Sequence, residues 1–87
     1  MKSRAVGRFW QLYEELPARL QRTADKQFVL WRENPRHRSL RFKQIKRDLW
    51  SVRVTDDYRA PATRDDDTWL WFWIGRHAEY ERIIDRR

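Results

Sequence analysis

Apolar residues return every three or four positions over the first third of the chain. Val6, Phe9, Trp10, Tyr13 and Leu16 share one helical face, which predicts a short helix over 6–16. The residues before it leave room for a short edge strand. Pro17 breaks the pattern and suits the first turn of a new helix. Leu20, Ala24, Phe28 and Trp31 then form one stripe, with Arg19, Arg22, Lys26 and Arg32 off it, which predicts a second helix over 17–33. Asn34-Pro35 stops that helix.

Beyond residue 39 the period changes to two. Leu40 and Phe42 alternate with Arg41 and Lys43, and Trp50, Val52 and Val54 alternate with Ser51 and Arg53. Thr55-Asp56-Asp57 carries a hairpin turn signal. Tyr58, Ala60 and Ala62 resume the alternation around Arg59. Pro61 cannot donate to a ladder, so it marks an edge position, a bulge or the end of that strand. Arg64-Asp65-Asp66-Asp67 reads as a second turn. Trp69 to Ile74 is apolar at every position, which predicts a central strand covered on both faces. Residues 76–85 suit a short helix anchored by Tyr80 and by Ile83 or Ile84. The order predicts one α+β domain over 1–87. In it an N-terminal helical hairpin packs on a mainly antiparallel, three- to four-stranded twisted sheet, followed by a short C-terminal helix. Arginine and lysine from the strands occupy the face opposite the hairpin.

Charge sharpens this picture. The net charge is +7, and residues 32–48 alone carry seven Lys or Arg against two acids. Such a segment attracts a polyanion, and an acidic protein or an anionic membrane surface would answer the same field. The chain has no cysteine, which excludes disulfides, thiolate chemistry and cysteine-held metal. No signal peptide is visible, and the longest apolar run is far short of the roughly 20 residues of a membrane span. A soluble, cytoplasmic protein without a membrane role is the expectation.

Two groups of residues carry candidate chemistry. Arg53 and Arg59 lie on neighbouring strands joined by a short turn, so their planar forks are placed to clamp a phosphate and to stabilise charge developing on it. The bland alternative is a solvated sheet face with arginines paired to Asp56 or Asp57. The second group, Arg76, His77 and Tyr80, follows the Trp-rich run. Histidine is the side-chain type that exchanges protons near neutrality, and tyrosine bonds phosphates or stacks on bases. Together the groups hold the parts for RNA cleavage: a base for the 2′-hydroxyl, an acid for the departing 5′ oxygen and arginines for the phosphate. The alternative here is a histidine at a helix start above a packed tyrosine. Arg41, Lys43, Lys46, Arg47 and Arg76 are candidate nucleic-acid contacts. His37 is a loop residue in a basic run. No metal site and no cofactor are expected, since the histidines are far apart and Asp65–Asp67 lack the spacing of a calcium loop.

The chain resembles the RelE/ParE superfamily, the toxins of bacterial type II toxin–antitoxin modules. The resemblance rests on Leu16-Pro17, Glu33-Asn34-Pro35, Ser39-Leu-Arg-Phe-Lys-Gln-Ile45, Trp50 to Ala60, and Trp71-Phe-Trp-Ile-Gly-Arg-His-Ala-Glu-Tyr80. It implies a metal-independent endoribonuclease that cleaves mRNA on the ribosome and is neutralised by an antitoxin protein. In that frame Arg59 is the phosphate-stabilising strand arginine, with Arg53, His77 and Tyr80 as further catalytic candidates. ParE-like members share the fold but poison DNA gyrase, so a non-catalytic binding module is the alternative. The chain departs from the ribonuclease pattern in two ways. Glu79 and Glu81 stand beside the candidate site, and Ser51 is found where a second basic residue would serve.

Overall fold

The computed structural model describes residues 2–86. In chain order it comprises β1 (Lys2–Ala5), α1 (Phe9–Glu14), α2 (Ala18–Glu33), a 3₁₀ turn (Arg38–Leu40), β2 (Lys43–Lys46), β3 (Leu49–Arg53), β4 (Tyr58–Asp65), β5 (Thr68–Trp71), β6 (Gly75–Arg76) and α3 (His77–Asp85). The strands form one sheet in the order β1-β5-β4-β3-β2, with β6 also on β4. Among the described residues only the β1–β5 pair is parallel. The architecture is the expected α+β sandwich. It has more strands than the alternation showed, because β1 is almost wholly exposed and β6 is two residues long.

The hairpin helices form where predicted, but α1 is shorter than 6–16. Gly7, at φ +61°, bends the chain ahead of it, and single-turn bonds from Glu15 and Leu16 close it before Pro17. The Pro17 carbonyl then accepts from the Leu20 and Gln21 amides at 2.9 and 3.1 Å, starting α2. Tyr13 Oη donates to Asp25 at 2.6 Å across the hairpin. On α2 the fully buried positions are Leu20, Ala24, Gln27 and Trp31, so a glutamine joins the stripe, while the expected Phe28 packs against the core partly buried. Gln27 Nε2 donates to the Arg53 carbonyl at 3.1 Å, supplying a donor where β3 ends.

The core lies between this hairpin and the sheet. Trp31 meets Phe42, Trp69 and Trp71 edge-on at 5.1–6.0 Å, and Phe28 meets Trp71 at 4.9 Å. These edge-to-face contacts suit the aromatic quadrupoles.

Two sequence expectations change, and the alternatives left open for Pro61 resolve to a bulge. The strand expected over 40–43 starts later: Arg38–Leu40 coils, Arg41 takes a left-handed backbone (φ 45°), and pairing begins at Lys43. Pro61 is not at an edge, because β4 is internal. Its carbonyl accepts from the Phe72 amide at 3.4 Å, so its ring nitrogen faces the same way, onto residues 72–74. There the partner ladder shifts from Ala62↔Trp71 to Arg59↔Gly75, a bulge that needs no donor from proline. The same bulge splits the expected 69–74 strand into β5 and β6. β5 is flanked on both sides, yet only Trp69 and Trp71 are buried while Leu70 stays half-exposed, so it is not covered on both faces.

Candidate active site

Side chains alternate across a strand, so β3 and β4 serve two surfaces. Trp50, Val52, Ala60 and Ala62 face the hairpin. Ser51, Arg53, Arg59 and Pro61 face the opposite way, with Arg53 directly across from Arg59. α3 packs over part of that second face. Its entry is tied down by the His77 amide, which donates to the Asp57 carbonyl at 2.6 Å. Gly75 passes so close to the Trp73 ring that a Cβ would fall 2.6 Å from it, which keeps this approach free of larger residues.

The two arginines are held differently. Arg59 Nη1 donates to the carbonyls of Thr55, Asp56 and Tyr58, fastening the β3–β4 turn. Among the described residues its Nη2 and Nε bond nothing, so one edge of the fork stays open. Burial, then the charge of Arg53, press its pKa below the ordinary guanidinium value, although it remains a cation. Arg53 is fully engaged. Nη2 and Nε reach Asp56 Oδ1 at 2.7 and 3.1 Å, and Nη1 donates to the Ser39 carbonyl at 3.2 Å. The hydrogen bond from Arg53, and then its charge, hold the Asp56 carboxyl below its usual range, and Arg41 and Arg59 add to this. Arg41, Arg53 and Arg59 therefore surround one exposed carboxylate. The pairing anticipated as the bland alternative is present for Arg53 and absent for Arg59.

His77 and Tyr80 are brought together. Their rings stack at 5.6 Å, and His77 Nε2 lies 3.6 Å from Glu81 Oε1. Tyr80 is 5% exposed. Burial raises its pKa, although the Ser51 hydroxyl beside it and the Arg59 charge pull the other way. The phenol is thus a neutral donor beneath the imidazole. The sequence reading paired neither Ser51 with Tyr80 nor Glu81 with His77. The signal for the second pair was its i, i+4 spacing on a helix.

A model of the ParE-like toxin domain matches residues 18–82, most of the chain. The chain belongs to the ParE-like toxin domain family. None of the curated proteins matches it by sequence. Among solved structures, YafQ from E. coli superposes with a TM-score of 0.74 at 13% identity, covering 91% of this chain and 96% of that one. A YoeB/ParE toxin from Agrobacterium tumefaciens gives 0.68 at 18% identity over 88% and 99%. The toxin in the RelB–RelE antitoxin–toxin complex of Methanococcus jannaschii gives 0.67 at 12% identity over 88% and 93%. The expected superfamily is therefore the right one, and at these identities the structures speak for the shared fold.

The remaining candidate residues of this ParE-like domain fall in four places. Lys43 and Lys46 pair in register with Ser51 and Leu49, on the Arg53–Arg59 side of the sheet. Lys46 Nζ donates to the Ile84 carbonyl, placing a cation at the C-terminal end of α3. Arg47 is exposed in the β2–β3 turn. Arg76 pairs with Tyr58, one position along from Arg59, so it faces the hairpin side, with its guanidinium 6.0 Å from the Tyr58 ring. His37 caps the 3₁₀ turn: Nδ1 accepts from the Ser39 amide at 3.2 Å and lies 2.9 Å from Ser39 Oγ. Among the described residues no group of histidines and carboxylates is placed to hold a metal ion, and no helix is long and apolar enough to cross a membrane.

Proposed function

We propose that this ParE-like toxin domain is an endoribonuclease that cleaves mRNA on the ribosome without a metal. The observation that carries the reading is the open edge of the Arg59 fork beside Arg53, on the face that also holds His77. Arg59 grips the scissile phosphate and stabilises the charge it gains under attack. Arg53 joins once the phosphate displaces Asp56. His77, backed by Glu81, exchanges the proton of the attacking 2′-hydroxyl or the leaving oxygen. Tyr80 sets the imidazole by stacking and supplies a neutral hydroxyl close by. An antitoxin protein covers the domain when it is silent. Support comes from relatives of the same fold crystallised as toxin–antitoxin complexes, DinJ–YafQ and RelB–RelE. A cytoplasmic location follows from a ribosomal target.

Inducible expression in bacteria, with transcript 5′ ends mapped beside an Arg59→Ala/His77→Ala variant, tests this. Growth arrest with new ends inside translated frames, lost in the folded variant, is expected. Cleavage retained by the variant would remove the site.

A second reading is a non-catalytic member that binds a protein such as DNA gyrase. The Arg53–Asp56 pair favours it, since half of the arginine clamp is already neutralised at rest. It predicts growth inhibition through DNA damage, or none, with an unchanged transcript map.

A further inference from the structure

On the hairpin side of the sheet, at its β2 border, lies a hollow of about 520 Å³, which is within the roughly 300–1,000 Å³ of small-ligand sites. Phe42, Trp50 and Trp69 line its apolar part, and Arg36, Lys43 and Arg64 its charged part. No acidic side chain lines it. Trp50 is partly buried and stands edge-on to Trp69 at 4.9 Å, while the Arg64 guanidinium covers the Trp69 ring at 5.1 Å. Arg64 Nε donates to the Asp66 carbonyl at 2.8 Å, which orients the fork. Among the described residues the side-chain nitrogens of Arg36 and Lys43, and the terminal nitrogens of Arg64, bond nothing. Two unneutralised arginines beside a partly buried indole, with Lys43 at the border, select a ligand that is both flat and anionic. An acidic peptide supplies charge without the repeated planes. An unpaired nucleotide supplies both, a base to stack and a phosphate to hold.

We propose that this hollow binds an unpaired nucleotide of a single-stranded RNA, at a distance from the phosphate that is cut. The inference rests on the ribonuclease reading above. Lys43 marks the border between the two surfaces: it is in register with Ser51 on the Arg53–Arg59 side and also contributes to the wall of the hollow. An RNA strand crossing the β2 border meets both faces, so the hollow fixes the register in which the strand is presented to Arg59.

The test uses the full chain and fluorescent hexauridylate and hexaadenylate, with anisotropy read at several salt concentrations. The Arg36→Ala/Arg64→Ala variant is expected to bind about tenfold more weakly and to lose about 0.7 of log–log salt slope per phosphate contact removed. Arg36→Ala alone should shift both in the same direction. Among the described residues its guanidinium bonds nothing, so misfolding does not confound it. A hexamer carrying 4-thiouridine should crosslink to the peptide containing Trp50. Unchanged binding in both folded variants, crosslinks confined to other peptides, no hexamer binding by the wild type, or equal competition by polyglutamate would each overturn the proposal. The ribonuclease reading fails separately: a wild type that binds hexamers through the hollow but leaves cellular transcripts uncut would remove that reading alone.

Discussion

The two faces of the β3–β4 hairpin are made by alternate residues of the same short strands, yet they do opposite work. Toward the helices stand Val52, Ala60 and Ala62, all fully buried, under a layer of tryptophan and phenylalanine rings. Toward α3 stand Ser51, Arg53 and Arg59, beside Tyr80 and His77. The first face holds the chain together by excluding water. The second keeps charged groups at the edge of water and fastens them with backbone carbonyls instead of apolar neighbours. The period of two lets one strand serve both tasks without either compromising the other. The difference should show in mutants: substitutions on the helical face should cost stability, and those on the α3 face should cost activity.

Trp31→Ala is the strongest test of the helical face. The residue is 1% exposed and touches three aromatic rings, so its loss should cost about 3–5 kcal/mol. Urea unfolding would show this, and a variant with an unchanged midpoint would contradict the core described here.

On the α3 face, Arg59→Ala should lower cleavage by about 10²- to 10³-fold, with a far smaller loss of stability. Single-turnover cleavage beside thermal melting separates the two. A collapse of folding with cleavage preserved per folded molecule would reverse the assignment.

Gln27→Leu probes the junction between the faces. It removes the donor that meets the partly buried Arg53 carbonyl, and thermal or urea unfolding should register a loss of about 1–3 kcal/mol. A neutral outcome would mean that water reaches this carbonyl.

Asp56→Asn should leave stability nearly untouched and free Arg53 for a phosphate, tightening RNA binding. The pH dependence has a definite sign. The folded Asp56 carboxyl titrates below its unfolded value, so the pair is intact above that value and is lost as pH falls through the folded one. Acid should therefore release Arg53 in the wild type and change nothing in Asp56→Asn. Weaker RNA binding by the variant would show that Asp56 orders Arg53 instead of masking it.

The smallest effect belongs to Tyr13 on the helical hairpin. Its hydrogen bond to Asp25, more than burial, raises its pKa to about 12. Its contribution is thus complete below the usual tyrosine value near 10 and is lost as pH rises toward 12. Phenolate absorbance in wild type and Asp25→Asn would reveal it as a difference in alkaline titration.

The elements that the sequence disclosed are those with strong, repeated local patterns. The α2 stripe, the Trp50–Val54 alternation and the turn after it were legible because burial on one face imposes a period on the chain. β1 carried almost no such signal: its four residues are held by pairing with β5, not by burial of their side chains. Gln27 was invisible because a buried glutamine is explained only by the carbonyl it reaches, and that carbonyl lies 26 residues away in sequence. Arg76 sits next to His77 in the chain, but the pleat turns it toward Tyr58 and away from Arg59.

By itself, then, the sequence determined the fold class and the residue types available for phosphate chemistry, since periodicity, turn residues and composition are local properties, and the resemblance of its motifs pointed to the superfamily. Only the tertiary structure decided which arginine keeps an open edge, which is paired, and which basic residues share a face. Those outcomes depend on strand register and on contacts between distant segments, which no local pattern encodes.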